Sequence, residues 1–135
     1  RSMATRGSYG GLSKAVAPTV NLLGAFGNDI IIIETAGVGQ IELDVKGIAD
    51  VLVLVLAPGF GDAIQLMKAG LIEVADMVVV NKTDLEGADK LLAELGTTLK
   101  PNGGHSKQLI VATQALNGVG IEELYQAIEE RCINR

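Results

Sequence analysis

Two hydrophobic rhythms alternate along the chain. Short apolar runs at 30–33, 51–57 and 77–80, and a fourth over 108–112 that is apolar after Gln108, are rich in Val and Ile and too short for helices. Runs of this kind, bounded by Gly, Asn, Asp or Pro, predict parallel strands covered on both faces. Between them apolar residues recur every three or four positions, as the buried face of a helix requires. Leu12, Val16, Val20, Leu23 and Phe26 mark one such face, ended by Gly27, and Pro18 inside it predicts a kink or an early stop. Ile41, Val45 and Ile48 predict a short helix over 41–49. From Asp62 the pattern passes through Ile64, Met67, Leu71 and Val74, with a break at Gly70. Leu91, Leu92, Leu95 and Leu99 share a face over 85–99, and Ile121, Leu124, Tyr125 and Ile128 share one over 121–132. Strands alternating with helices at this spacing predict an α/β fold: a doubly wound, mainly parallel sheet with helices on both faces and right-handed crossovers.

Composition narrows the classes of function. The 135 residues fit one domain, and no run approaches the roughly 18 apolar residues that a membrane-spanning helix needs. Net charge is −5 and the eleven Lys and Arg residues are scattered, so no basic footprint for nucleic acid or an anionic membrane exists. The single cysteine, Cys132, excludes an intramolecular disulfide, suits a reducing compartment and is expected half-buried in the last helix. His105 has no Cys or His partner nearby and reads as a solvated loop residue; Met3, Met67 and Met77 read as packing. Residues 1–7 resemble neither a signal peptide nor a natural start, so the chain is expected to begin inside a longer one.

The chemistry-bearing residues sit where the predicted strands end: Glu34-Thr35, Pro58 to Asp62, Asn81 to Asp84, and Thr113 to Ala115. In a doubly wound sheet these ends converge on one crevice. Glu34 with Gly37 three residues on matches the Walker-B and switch II pattern, in which the carboxylate faces Mg²⁺ and the glycine amide faces the γ-phosphate. A plain strand and turn is the alternative. Gln40 is a candidate for orienting water, although Val38 occupies the position directly after Gly37. Asn81-Lys82-Thr83-Asp84 is the strongest signal, because the Asp84 carboxylate can accept two hydrogen bonds from the N1–H and exocyclic amine of guanine. Adenine has no such donor pair. Lys82 would lay its stem over the base with its ammonium in water, and Asn81 would tie the loop together. About thirty residues on, Gln114 and Ala115 lie where a backbone amide would meet the guanine carbonyl.

Together, residues 1–11 (Arg-Ser-Met-Ala-Thr-Arg-Gly-Ser-Tyr-Gly-Gly), Glu-Thr-Ala-Gly-Val-Gly-Gln at 34–40, Ala-Pro-Gly-Phe-Gly-Asp at 57–62 with Gln65 and Lys68, and Asn-Lys-Thr-Asp at 81–84 resemble the MeaB/ArgK family. These are methylmalonyl-CoA mutase-associated GTPases of the SIMIBI class, once described as a lysine/arginine/ornithine transport kinase. The resemblance implies a GTP-hydrolysing chaperone that gates cofactor loading and protection of a B12-dependent acyl-CoA mutase. GTP or GDP and Mg²⁺ would be its cofactors. It also implies a homodimer when full length, in the cytoplasm, or the mitochondrial matrix if eukaryotic. Asp62, Gln65 and Lys68 would form the family's switch III relay to the mutase. A Gly-x-x-x-x-Gly-Lys-Ser/Thr loop is absent from these 135 residues, so the chain is expected to be the C-terminal part of a P-loop GTPase domain without its phosphate loop or dimerisation arm. A metal-inserting G protein of the same class, a kinase and a non-catalytic module are the rival readings.

Overall fold

The computed structural model describes Met3 and residues 12–35, 41–59, 71–99 and 108–133, which fall into two units, Arg1–Asp50 and Val51–Arg135. In the first unit, helix α1 spans Val16–Ala25 and continues through Pro18. Pro18 does not stop the helix because it is its third residue, inside the first turn, where a backbone N–H has no intrahelical acceptor to lose. The helix ends as its sequence predicts. Gly27 adopts φ 87°, its N–H donates to the Gly24 carbonyl (2.9 Å), and the Asn28 N–H reaches back to the Leu23 carbonyl (3.2 Å). This pair of bonds is the Schellman ending that a left-handed glycine permits. Helix α2 spans Ile41–Lys46, within the predicted 41–49.

The apolar run at 30–33 departs from expectation. Residues 28–35 form neither helix nor sheet, and Ile30 and Ile32 are 64% and 87% exposed. A strand needs a neighbour to satisfy its N–H and C=O groups, and the described residues of this unit contain no other strand for it to pair with.

The second unit is built on β1 (Val53–Leu56), β2 (Met77–Val80) and β3 (Leu109–Ala112), all parallel and in that spatial order. Register is continuous: Val53, Met77 and Leu109 align at one end, and Leu56, Val80 and Ala112 at the other. Every residue of β2 is buried, which is why its sequence is apolar without alternation. Strand β1 pairs on one side only among the described residues, and Val55 is 59% exposed, so the expected burial on both faces holds for β2 and not for β1.

Helix α3 (Leu71–Val74) and helix α4 (Ala88–Thr98) supply Ile72, Leu91 and Leu95 to a cluster with Leu56, Val78 and Val80, flanked by Leu54, Leu92, Leu99 and Ile110. Helix α4 starts later than the predicted residue 85, because residues 83–87 form turns that end in Gly87 at φ 90°. At the strands' starting ends, polar side chains extend the ladder. Asp76 accepts from the Leu52 N–H through Oδ2 (2.9 Å), and Gln108 Nε2 donates to the Ile72 and Ala75 carbonyls (2.5 and 2.6 Å). A short 3₁₀ turn, Ala115–Asn117, and helix α5 (Ile121–Ile133) follow β3. Cys132 is exposed on α5, not half-buried.

One glycine is obligatory between the 3₁₀ turn and α5. Gly120 adopts φ 73°, and a Cβ built there would run into the Ala112 carbonyl oxygen, with the Thr113 Cα only 3.3 Å away. Backbone against backbone cannot rotate aside. Gly120→Ala is expected to destabilise the second unit by roughly 2–4 kcal/mol, combining left-handed strain with the displaced end of β3. Urea unfolding followed by circular dichroism checks this, and a loss under about 0.5 kcal/mol contradicts it.

Candidate functional site

The ladder of β2 runs on past its last residue. The Asn81 N–H donates to the Leu56 carbonyl at the end of β1 (2.8 Å), and the Thr113 N–H, just past β3, donates to the Val80 carbonyl (2.8 Å). Asn81 and Thr113 therefore leave the sheet side by side, placed by backbone pairing. Immediately afterwards the chain turns: Lys82 takes φ 58°, a left-handed conformation that a residue with a Cβ adopts only at some cost. The turn closes with the Leu85 N–H on the Lys82 carbonyl (3.0 Å).

Thr113 holds this turn in place and is itself almost wholly buried, at 1% exposure. Its carbonyl accepts from both the Thr83 N–H and the Thr83 hydroxyl (3.1 Å each). Its hydroxyl donates to Asn81 Oδ1 (3.1 Å), which also accepts from the Ala115 N–H (3.1 Å). An amide N–H can only donate, so the atom facing Ala115 must be the carboxamide oxygen, and the Asn81 orientation follows from chemistry. Both lone pairs of Oδ1 are engaged, and the Asn81 NH₂ remains to donate toward a ligand acceptor.

Of the sequence candidates, Asn81, Lys82, Asp84, Gln114 and Ala115 are brought together on two adjoining loops. Lys82, Asp84 and Ala115 are exposed, as an open binding surface requires. The Ala115 N–H, expected to meet a guanine carbonyl, is held by Asn81, so a ligand carbonyl would have to share or take over that donor. Gln114 is engaged in its own turn: its N–H donates to the Val119 carbonyl (3.0 Å), and its Oε1 accepts from Asn117 Nδ2 (3.2 Å). Glu34 lies in the first unit and is exposed. Gly37, Gln40, Asp62, Gln65 and Lys68 lie outside the described residues. Among the described residues no group of three or more His, Cys, Asp or Glu could hold a metal ion. Thr83 and Thr113 fall within the chemistry-bearing strand ends of the sequence, where neither has a role of its own. A small hydroxyl residue directly after an apolar strand was the available signal, but its partners lie some thirty residues away.

Asn81→Ala removes the acceptor shared by the two loops and leaves the Ala115 N–H to solvent. Exchange of the Ala115 amide with deuterated solvent is expected to quicken about tenfold, while β2 amides change little, as a lost hydrogen bond of about 1 kcal/mol predicts. Hydrogen-exchange NMR checks this, and an unaltered Ala115 rate contradicts the cross-loop tie.

Known proteins resemble this chain over nearly all of its length. A family model described as Methylmalonyl Co-A mutase-associated GTPase MeaB matches residues 1–133. A Pyrococcus abyssi protein provisionally named a GTPase is 47% identical over 135 residues, which cover 96% of this chain and 42% of its own length. A similarly named Pyrococcus horikoshii protein is 48% identical, with 96% of this chain and 43% of its own length covered. A Mus musculus protein named methylmalonic aciduria type A homolog, mitochondrial, is 36% identical over 96% of this chain and 33% of its own length. This chain thus spans about two fifths or less of the length of these relatives. On a match that covers all but its last two residues, the chain belongs to the MeaB family of methylmalonyl-CoA mutase-associated GTPases.

Proposed function

We propose that this chain supplies the guanine-selecting part of a GTP-binding, GTP-hydrolysing protein that gates cofactor loading and protection of a B12-dependent acyl-CoA mutase. The observation that carries the nucleotide part is the Asn81 carboxamide, gripped by Thr113 and Ala115, with the exposed Lys82 and Asp84 on the same turn. A carboxylate whose loop is already stitched in place can accept from the paired N1–H and amine of guanine without first paying the entropy of ordering the loop. The lysine stem offers an apolar surface to the base while its ammonium stays hydrated. The mutase as partner rests on the family description, a mitochondrial setting for a eukaryotic chain on the mouse relative's name, and a reducing cytoplasmic setting otherwise on the single cysteine and the motif resemblance.

At the phosphate end the reading rests on motif resemblance. Glu34 has an exposed carboxylate, a hard oxygen donor of the kind Mg²⁺ accepts when phosphate oxygens and waters complete its shell. The ion would supply charge neutralisation on the transferred phosphoryl group. Gly37 would donate its amide to the γ-phosphate, Gln40 is the candidate for orienting water, and Asp62, Gln65 and Lys68 would relay nucleotide state to the mutase.

Asp84→Asn tests base selection. It replaces an acceptor by a donor facing the guanine N1–H and amine, and the same donor suits the extra carbonyl of xanthine. GTP affinity is expected to fall about tenfold or more, since a buried unpaired polar group costs roughly 1–3 kcal/mol, and XTP affinity is expected to rise. Equilibrium titration with both nucleotides decides, and an unchanged preference removes Asp84 from base reading.

A further inference from the structure

We propose that Asn117-Gly118 is a site of spontaneous deamidation, and that its isoaspartate product unmakes the turn that positions Ala115. The inference goes beyond the nucleotide reading and stands whether or not guanine binds. In the reaction the Gly118 backbone nitrogen loses its proton and attacks the Asn117 carboxamide carbon; a new C–N bond forms, and Nδ2 leaves with that proton as ammonia. Water then opens the cyclic imide at either carbonyl, leaving aspartate or isoaspartate. Water is the only co-reactant.

Sequence and local structure single out this residue. Of the six asparagines only Asn102 and Asn117 precede a glycine, whose missing side chain leaves the attacking nitrogen open, and Asn102 lies outside the described residues. Asn117 and Gly118 are both exposed. Their reacting groups are loosely held: the Gly118 N–H reaches the Ala115 carbonyl at 3.3 Å, and Asn117 Nδ2 reaches Gln114 Oε1 at 3.2 Å, at or past the long end of the usual range. Other asparagines are better tied. Asn28 Nδ2 donates to the Leu23 carbonyl at 2.8 Å, and Asn81 Oδ1 accepts from two donors. The 3₁₀ turn Ala115–Asn117 fixes the backbone at Asn117, so ring closure waits for that turn to open. A turn of three residues with exposed, long bonds opens easily.

Position gives the modification its effect. Asn117 lies within the span of two contacts that close the loop around Ala115: the Gln114 N–H on the Val119 carbonyl (3.0 Å) and the Gly118 N–H on the Ala115 carbonyl. Isoaspartate routes the backbone through Cβ and adds a methylene to both spans. The Ala115 N–H is then expected to leave Asn81 Oδ1. Aspartate keeps the backbone length and only replaces the Nδ2 donor by an oxygen facing Gln114 Oε1.

Ageing the folded chain in warm, mildly alkaline buffer tests both statements. Each asparagine is followed by peptide mass spectrometry, with isoaspartate labelled by a protein isoaspartate methyltransferase; trypsin separates Asn102 from Asn117 by cutting after Lys107. Conversion at Asn117 is expected to exceed that at Asn28 or Asn81 by about tenfold or more, as an open nitrogen and weaker hydrogen bonds predict. Gln114→Ala, which frees Nδ2, is expected to quicken it about two- to fivefold, as one net exposed hydrogen bond predicts. Asn117→Gln, whose longer side chain closes a ring far less readily, is expected to remove the label at this position. By NMR the isoaspartate fraction is expected to show a displaced Ala115 amide signal with β2 signals unchanged, whereas Asn117→Asp keeps Ala115 in place. Conversion at Asn117 no faster than at Asn81 overturns the site. An isoaspartate fraction whose Ala115 signal coincides with the parent's overturns its effect on the loop.

Discussion

The parallel pairing of β2 with β1 on one side and β3 on the other is what the candidate site depends on. Backbone hydrogen bonds leave little freedom in register, because a slip of one residue would turn Val78 and Val80 out of the cluster that holds Leu91 and Leu95. The same ladder carries on for one more residue on each strand, delivering Asn81 and Thr113 to adjacent positions. Side chains that lie some thirty residues apart in sequence thus meet at hydrogen-bond distance with no flexible segment between them and the sheet.

From there the architecture changes from apolar burial to polar closure. Within the sheet, stability comes from covering Met77 to Val80 on both faces; beyond it, each buried polar atom of Thr113 is matched by a donor or acceptor on β2 or the loop that follows it. Among the described residues no buried side-chain polar atom lacks a partner. The left-handed Lys82 backbone is sustained in this setting, between the ladder bond of Asn81 and the paired contacts of Thr83. Strain of that kind persists where the surroundings over-determine it, and it keeps Lys82 and Asp84 at the surface of a stiff turn. Gly120 serves the same end sterically, letting the return of the chain pass close over the Ala112 carbonyl.

Local pattern was enough to locate most elements. A fully apolar run such as Met77–Val80 can be stable in water only when both faces are covered, so the strand and its central place are written in its composition. Leucines three and four apart likewise declare α4, and Gly27 declares the end of α1 through the left-handed conformation that glycine, unlike residues with a Cβ, adopts without strain. The Asn-Lys-Thr-Asp motif was legible for the same reason: its chemistry is carried by residue type and by position after a strand.

What required tertiary structure was every property that depends on neighbours distant in sequence. The run at 30–33 has the composition of a buried strand, yet composition supplies no partner for its backbone, and Ile30 and Ile32 stand exposed. Val55 is likewise apolar and exposed, because β1 pairs on one side only among the described residues. Pro18 was read from its identity alone as a break, whereas its effect depends on which turn of the helix it occupies. Thr113 stands in a chemistry-bearing strand end of the sequence, without a role of its own there. Its importance comes from register, which sets its hydroxyl against Asn81 and its carbonyl against Thr83. The sequence by itself determined β1 to β3, the helices of the second unit and the place of the Asn81 to Asp84 turn, since each follows from the preferences of residues close together in the chain. Only the tertiary structure decided which apolar runs find cover and which buried hydroxyl anchors the site, since both are settled by pairing between segments some thirty residues apart.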